Sequence, residues 1–179
     1  MLTFGHGRLD RDQLAALLRG ADVELVVDVR RFPGSRHNPA AAAGQVEALL
    51  DENGIGYRHE PRLGGRRRLK KDEDAVSLDP WWRVAAFRAY ADWTRTGEFG
   101  EGLAQLIEDD RERRTAIMCS EAVWWRCHRR VVSDVAVVAH GLSVEHLMHD
   151  GRLVEHPVSE GARQRPDGLL VWDRADADA

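Results

Sequence analysis

The sequence has few of the features that would place a protein in a membrane or in an oxidising compartment. Its 179 residues contain two cysteines, too few for a disulfide framework, so we expect free thiols that can do chemistry or bind a metal. The first residues lack the apolar core of a signal peptide, and no apolar run is long enough to cross a bilayer. We therefore predict a cytoplasmic protein with no membrane partner.

The sequence also lacks an excess of charge of one sign. Its 26 basic and 30 acidic side chains give a formal net charge of -4, which argues against a global field that attracts nucleic acid and leaves room for local basic patches. The hydrophobic fraction of 43% is sufficient for one globular domain with a full core.

Short apolar strands alternate with amphipathic helices along the chain. The run Glu24 to Arg30 is typical of a central strand buried on both faces. This alternation predicts a three-layer α/β sandwich whose central sheet is mostly parallel and has about five strands. We expect residues 1–150 to form a single domain and residues 151–179 to form an extension that packs on it or frays. One helix is predicted over residues 38–54, a second starts at Asp79, and a third runs from Val123 or Trp124 to Gly141. Residues 61–77 are predicted to form a polar loop.

Polar residues directly follow four of the predicted strands. They are His6, Arg30, the loop Pro61 to Gly65, and Cys119 with Glu121. Ligands of parallel sheets bind beyond the carboxyl ends of the strands, so we expect these four segments to converge on one edge.

Cys119 is the strongest candidate for a reactive group. It ends a strand just before a helix, where backbone N–H groups and the helix dipole favour a thiolate. The carboxylate of Glu121 would raise the pKa of this thiol unless a cation neutralises it, and Glu121 is itself a candidate acid or base. Cys127 lies at helical spacing from Val131 and Val135, a pattern that favours a packing role.

Several short motifs together resemble a known family. They are Thr3-Phe-Gly-His6, Asp28-Val-Arg30 with Pro33 and Ser35, Tyr57 followed by Leu63-Gly-Gly65, Cys119-Ser-Glu121, Cys127-His-Arg129 and Glu145-His146. In order and approximate spacing this set is similar to the domain of unknown function 488 family over roughly residues 2 to 150. The family usually has Ser or Thr after the first His, where this chain has Gly7, so the resemblance implies no hydroxyl role there. It supports the α/β fold and the site and implies no particular reaction.

The leading hypothesis is an enzyme or ligand-binding protein for an anionic, phosphate-bearing substrate, a nucleic-acid phosphate being one candidate. Arginine recognises such anions through planar, bidentate hydrogen bonds, although each arginine alone could instead pair with a carboxylate of the protein. The candidate catalytic residues are Cys119, Glu121, His128 and His6, and the candidate substrate-binding residues are Arg30, Ser35, Arg36, Gly64, Gly65 and Arg129.

Three alternatives compete with this hypothesis. A sulfurtransferase or phosphatase is disfavoured, because Glu121 would repel an oxyanion. A zinc or thiol redox site would use Cys119, Cys127 and His128, although their spacing matches no compact zinc motif. A nucleic-acid-binding module without catalysis would use the basic run Arg66 to Lys71. The acidic residues that follow this run favour a solvated loop. The sequence points to no particular cofactor or oligomeric state.

Overall fold

A six-stranded sheet lies at the centre of the computed structural model, which describes residues 1–34 and 38–174. In chain order the strands are β1 (Leu2–Gly5), β2 (Leu25–Asp28), β3 (Gly56–His59), β4 (Thr115–Cys119), β5 (Glu145–Leu147) and β6 (Leu153–Glu155). Their order in the sheet is β3-β2-β4-β1-β5-β6, and every pair is parallel except β5 with β6. The predicted α/β architecture with a mostly parallel sheet is therefore confirmed, with one strand more than expected.

Helices cover both faces of this sheet. They are α1 (Arg11–Gly20), α2 (Gln45–Glu52), α3 (Lys71–Ala75), α4 (Ala85–Trp93), α5 (Gly97–Glu112) and α6 (Arg129–His140). One core contains apolar side chains of α1 and α2, and the other contains those of α4, α5 and α6. Successive side chains of a strand point to opposite faces, so Ala116 and Met118 of β4 enter the first core while Ile117 and Cys119 enter the second. The thiol of Cys119 consequently faces α6.

The predicted helix 38–54 is interrupted, which corrects that expectation. Asn38 caps a short 3-10 turn, Pro39–Ala41, and α2 begins only after Gly44. Gly44 has a φ of 79°, a left-handed conformation that breaks a helix and that glycine adopts without strain.

The aromatic-rich helix begins at Ala85 and not at Asp79. The buried carboxylate of Asp79 accepts hydrogen bonds from the Arg95 side chain and from the backbone N–H of Trp172. These bonds hold the preceding segment against the C-terminal part of the chain. The predicted loop 61–77 likewise contains the short helix α3, in which the Glu73 side chain accepts from the N–H of Lys70.

The helix expected to start at Val123 or Trp124 begins at Arg129. Residues Trp124–Arg126 instead form a 3-10 turn, and the Trp124 ring stacks on His146 with centroids 4.3 Å apart. Cys127 therefore precedes the helix, yet it is buried in the same core as Val131 and Val135, in agreement with the predicted packing role.

The end of the described chain adds a two-stranded hairpin, β7 (Ala162–Gln164) and β8 (Leu170–Trp172), beside α6. Trp172 is fully buried in the core that contains α6. Residues 175–179 of the predicted extension lie outside the described residues. Across residues 1–34 and 38–174, no helix combines the length and apolarity that a membrane span requires.

Candidate active site

A cavity of about 220 Å³ opens at the carboxyl ends of β2 and β4. Its walls come from the segments that follow these two strands, from the loop at Gly65 and from the start of α4. The lining residues are Arg30, Arg31, Phe32, Gly65, Arg66, Ala86, Phe87, Tyr90, Cys119, Ser120, Glu121, Arg126, Cys127 and His128.

Both cysteines meet one histidine at the floor of this cavity. Nδ1 of His128 lies 3.6 Å from Sγ of Cys127 and 3.8 Å from Sγ of Cys119, and these three atoms all lie within 4.8 Å of one another. Both thiols are buried and neither is in a disulfide. Nε2 of His128 is a buried atom without a hydrogen-bond partner among the described residues. The imidazole thus offers one nitrogen to both sulfurs.

The two thiols differ in acidity. A hydrogen bond donated to Cys127 and burial raise the pKa of the Cys119 thiol well above its ordinary value. Burial also opposes ionisation of Cys127, but the hydrogen bond from Cys119 and the neighbouring His128 and Arg129 together bring the pKa of the Cys127 thiol well below its ordinary value. Cys127 is therefore the more acidic thiol of the pair, and Cys119 is the less acidic one.

Arg129 lies behind Cys127 and is 1% exposed. Its Nε donates to Sγ of Cys127 at 3.4 Å, while its Nη2 donates to the carbonyl of Glu121 at 2.5 Å. No carboxylate pairs with Arg129 among the described residues. A buried guanidinium favours a neutralising partner, and the thiol of Cys127, whose pKa Arg129 helps to lower, is in contact with it.

A close approach at Gly5 makes this arrangement possible. A side-chain Cβ at Gly5 would lie 1.7 Å from the carbonyl oxygen of Glu121 and 2.8 Å from Nη2 of Arg129. Only glycine leaves room for that carbonyl and the guanidinium above the end of β1.

A chain of buried hydrogen bonds continues from Arg129 into the interior. Nη1 of Arg129 donates to Oγ1 of Thr3 at 3.3 Å, and Oγ1 lies 2.6 Å from Nδ1 of His146. Nε2 of His146 lies 2.9 Å from Nδ1 of His156, whose Nε2 lies 2.9 Å from Oδ1 of Asp134. One assignment of the protons satisfies every link, with each group donating to the next from Arg129 to Asp134.

We define the relay as Thr3, His146, His156 and Asp134. Further hydrogen-bond donors surround Asp134 at its inner end. Asp134 is fully buried and also accepts from the backbone N–H of Ser159 and from Nε1 of Trp172. Burial and the neighbouring His156 and Arg129 lower the pKa of His146 to about 3, so this imidazole is neutral at physiological pH.

Arg30 and His6 lie on the β2 side of the site. Arg30 pairs with Asp28 through Nε and Nη2, the latter at 2.6 Å from Oδ2, and its Nη1 donates to the carbonyl of Ala41. Nη1 also lies 3.3 Å from Nε2 of His6, whose pKa is lowered by burial and then by Arg30. Most donors of Arg30 are therefore used within the protein, and among the described residues His6 supports Arg30 from behind and does not line the cavity.

The glycines of the predicted loop let the chain pass close to its neighbours. A Cβ at Gly64 would lie 2.9 Å from the backbone of Arg31, and a Cβ at Gly65 would lie 2.8 Å from Nδ1 of His128. Both distances are shorter than real Cβ contacts. Gly65 thus allows the His128 ring to reach the two sulfurs.

The entrance of the cavity is cationic. Arg31, Arg66 and Arg126 line it, and in residues 1–34 and 38–174 none of these three side chains pairs with a carboxylate. Glu121, an exposed residue, is the one acidic side chain in the described lining. The lining therefore has a strong excess of positive charge.

The predicted site residues fall into three groups. Cys119, Glu121, His128, Arg30 and Gly65 line the cavity, whereas Arg129, His6 and Gly64 lie directly behind it. Ser35 and Arg36, which were predicted to bind substrate, lie outside the described residues. The residues that sequence reasoning gave no site role include Arg31, Arg126, Thr3, Asp134 and His156, whereas Cys127 had a role only in the zinc or thiol redox alternative. The order Cys-His-Arg at residues 127–129 was the available signal for Cys127, and no local pattern marked Asp134 or His156.

The fold and the site together define an α/β protein with a buried two-thiol centre beneath a cationic cavity. A family model described as domain of unknown function DUF488 matches residues 10–136, and the chain belongs to this family. Searches of curated proteins and of solved structures found no match.

Proposed function

We propose that this protein is an enzyme that binds an anionic, phosphate-bearing substrate in the cavity above Cys119 and Cys127. The observation that carries the proposal is that three arginines without carboxylate partners among the described residues share this cavity with both thiols. Guanidinium groups bind phosphate oxygens bidentately, and these exposed charges, which the protein leaves unbalanced, favour an anionic ligand. The unpaired thiols also fit the predicted cytoplasmic location.

The side chains on the floor of the cavity fit distinct chemical roles. Cys127, with its lowered pKa, is suited to act as a nucleophile, and Cys119 stabilises that thiolate by a hydrogen bond. His128 contacts both sulfurs through Nδ1, so it is suited to proton transfer with either thiol. Glu121 lies at the exposed rim, where its carboxylate would act as a second acid or base.

Binding of inorganic phosphate and of a nucleoside monophosphate, followed by calorimetry, tests this proposal. We expect both anions to bind and to slow the alkylation of the two cysteines. Arg126→Gln should weaken binding about tenfold, since a charge-assisted hydrogen bond contributes roughly 1.5–3 kcal/mol. The control is Arg111→Gln, because Arg111 is exposed, pairs with Glu108 and does not line the cavity. Failure of both anions to bind wild-type protein would refute the proposal.

A zinc centre is a second candidate function, favoured by the spacing of three ligand atoms. Tetrahedral zinc with Zn–S of about 2.3 Å and Zn–N of about 2.0 Å separates its ligand atoms by about 3.5–3.8 Å. The distances of 3.6 and 3.8 Å from Nδ1 of His128 to the two sulfurs agree with this geometry. Cys119, Cys127 and His128 would hold the ion, and a fourth position would remain for water or substrate, as in catalytic zinc sites.

Elemental analysis of protein purified without a histidine tag separates the two candidates. The zinc hypothesis expects about one zinc per chain, lost in Cys127→Ser and retained in Arg126→Gln. Protein that binds phosphate and carries no zinc after growth in zinc-supplemented medium would exclude the zinc hypothesis.

A further inference from the structure

A wider groove continues from the cavity across the surface. The groove has a volume of about 1110 Å³, and its lining shares Arg31, Phe32, Arg66 and Ala86 with the cavity. Its other lining residues are Arg67, Arg68, Leu69, Lys71, Asp74 and Ala85. The cavity and the groove are therefore parts of one continuous depression.

The groove is more strongly cationic than the cavity. Arg31, Arg66, Arg67, Arg68 and Lys71 line it, and none of the five pairs with a carboxylate within residues 1–34 and 38–174. The carboxylate of Asp74 is bound by Arg88 at 2.6 Å and therefore neutralises none of them. Such a row of unbalanced positive charges attracts a ligand with several negative charges in a line.

The size of the cavity limits what can enter it. Pockets that enclose a drug-sized ligand have volumes of roughly 300–1,000 Å³. A cavity of about 220 Å³ holds one small group, so a larger substrate must extend into the groove. The row of positive charges in the groove fits a ligand with repeated negative charge, and the cavity has room for one small group. Both features fit a polymeric ligand of which one unit at a time enters the cavity.

The junction of the two spaces has features suited to a nucleotide. Phe32 is 61% exposed and lines both spaces, so its ring is available to stack on a base. Arg66, beside it, adopts a φ of 59°, a strained conformation for a residue with a side chain. With this backbone conformation, Arg66 lines both the cavity and the groove.

From these observations we propose that the groove binds single-stranded nucleic acid and delivers one nucleotide to the cavity. This inference rests on the proposed function and adds the substrate class. Arg31, Arg66, Arg68 and Lys71 contact the phosphates, and the nucleotide at Phe32 turns its base or phosphate toward Cys127. A paired base cannot leave its helix without losing stacking and pairing energy, so a single strand is preferred to a duplex.

Fluorescence anisotropy with the full chain and a labelled oligothymidylate tests the proposal. We expect the oligonucleotide to bind at least about tenfold more tightly than thymidine monophosphate, and its affinity to fall steeply with salt. Arg68→Gln combined with Lys71→Gln should weaken oligonucleotide binding about tenfold or more and reduce the salt slope by about 1.4, because each phosphate contact on a single strand contributes roughly 0.7. The same pair should leave monophosphate binding unchanged, as should the control Arg111→Gln, which lines neither space.

The outcomes separate the two proposals. Binding of the monophosphate with no stronger binding of the oligonucleotide would refute the groove and leave the proposed function standing. Absence of binding of either ligand would refute both. Equal affinity for a matched duplex or for polyglutamate would show a general polyanion surface and overturn the inference. A matched oligouridylate distinguishes RNA from DNA as the strand, and tighter binding of either supports the proposal.

Discussion

Nε of Arg129 lies 3.4 Å from Sγ of Cys127, and both side chains are almost completely buried. Arg129 has no carboxylate partner in the described part of the chain. Its positive charge therefore acts on Cys127, where it helps to lower the pKa of the thiol. The carbonyl of Glu121 and the hydroxyl of Thr3 fix the guanidinium from its other side. The low pKa of Cys127 therefore depends in part on a residue that does not itself line the cavity.

Replacement of Arg129 by glutamine should raise the pKa of the Cys127 thiol. The lost charge-assisted hydrogen bond contributes roughly 1.5–3 kcal/mol, which corresponds to about one to two pH units. The ultraviolet absorbance of the thiolate, followed against pH in metal-free protein, measures this shift. Arg111→Gln is the matched control and should titrate as the wild type does. An unchanged thiolate titration in Arg129→Gln would contradict this role of Arg129.

The same acidity predicts the direction of a stability change with pH. The folded-state pKa of Cys127 is lower than that of an unfolded cysteine, roughly 8.5. Its stabilising contribution is therefore complete above that unfolded value and is lost as the pH falls through the folded-state value. Cys127→Ser should remove this contribution, as urea unfolding at a series of pH values would show. Cys119→Ser should retain most of it, because a serine hydroxyl can still donate to the thiolate.

Asp134→Asn should destabilise the fold by about 2–4 kcal/mol, because it removes a buried charge whose three hydrogen-bond partners remain in place. These partners are Nε2 of His156, the backbone N–H of Ser159 and Nε1 of Trp172. Urea unfolding measures the change. The control Asp150→Asn removes an exposed carboxylate whose one ion-pair partner among the described residues is Arg152, and it should leave the unfolding midpoint unchanged. Equal stability of both variants would contradict the structural role of the relay.

The contrast between Cys119 and Asp134 shows how far the sequence alone could go. Cys119 was identifiable because a buried strand ends at it, and the parallel sheet then fixes the edge on which it lies. Asp134 lies in the middle of α6, where a helix pattern predicts only a polar position, and its partners lie 22 to 38 residues away in the chain. No local periodicity encodes such a contact.

The position of Cys127 illustrates a second limit. Its spacing from Val131 and Val135 suggested a continuous apolar stripe, and that interpretation required the helix to start before it. The stacking of Trp124 on His146 turns the chain into a 3-10 conformation and delays the helix to Arg129. The partner that causes this lies 22 residues further along the chain, so a local pattern could not reveal that Cys127 faces Cys119.

The relay also predicts a loss of stability on acidification. His146 has a pKa of about 3 in the folded protein and roughly 6.5 when unfolded, so the unfolded state binds more protons between these values. Stability should decrease as the pH falls from about 6.5 toward 3, by up to roughly 1.4 kcal/mol per pH unit. His146→Gln should flatten this dependence, whereas the exposed control His140→Gln should preserve it. An identical pH profile for wild type and His146→Gln would contradict the prediction.

Substitution of Gly65 by alanine tests the link between the loop and the thiols. The added Cβ would lie 2.8 Å from Nδ1 of His128, so the imidazole must move away from both sulfurs. We expect the pKa of Cys127 to rise because it loses the contact with His128, and the strain to cost about 1–3 kcal/mol of stability. Thiolate titration and urea unfolding measure the two effects.

Gly100→Ala provides the matched comparison for Gly65→Ala. Gly100 lies in α5 with nothing within 4 Å of an added Cβ, so alanine there should stabilise the helix by about 0.5–1 kcal/mol. The two variants add the same methyl group, and only the one at Gly65 displaces His128. If Gly65→Ala titrated like the wild type while losing stability, the loop would be a packing element and His128 would not control the acidity of Cys127. A shifted titration in Gly65→Ala with a normal one in Gly100→Ala would place Gly65 among the residues that position His128.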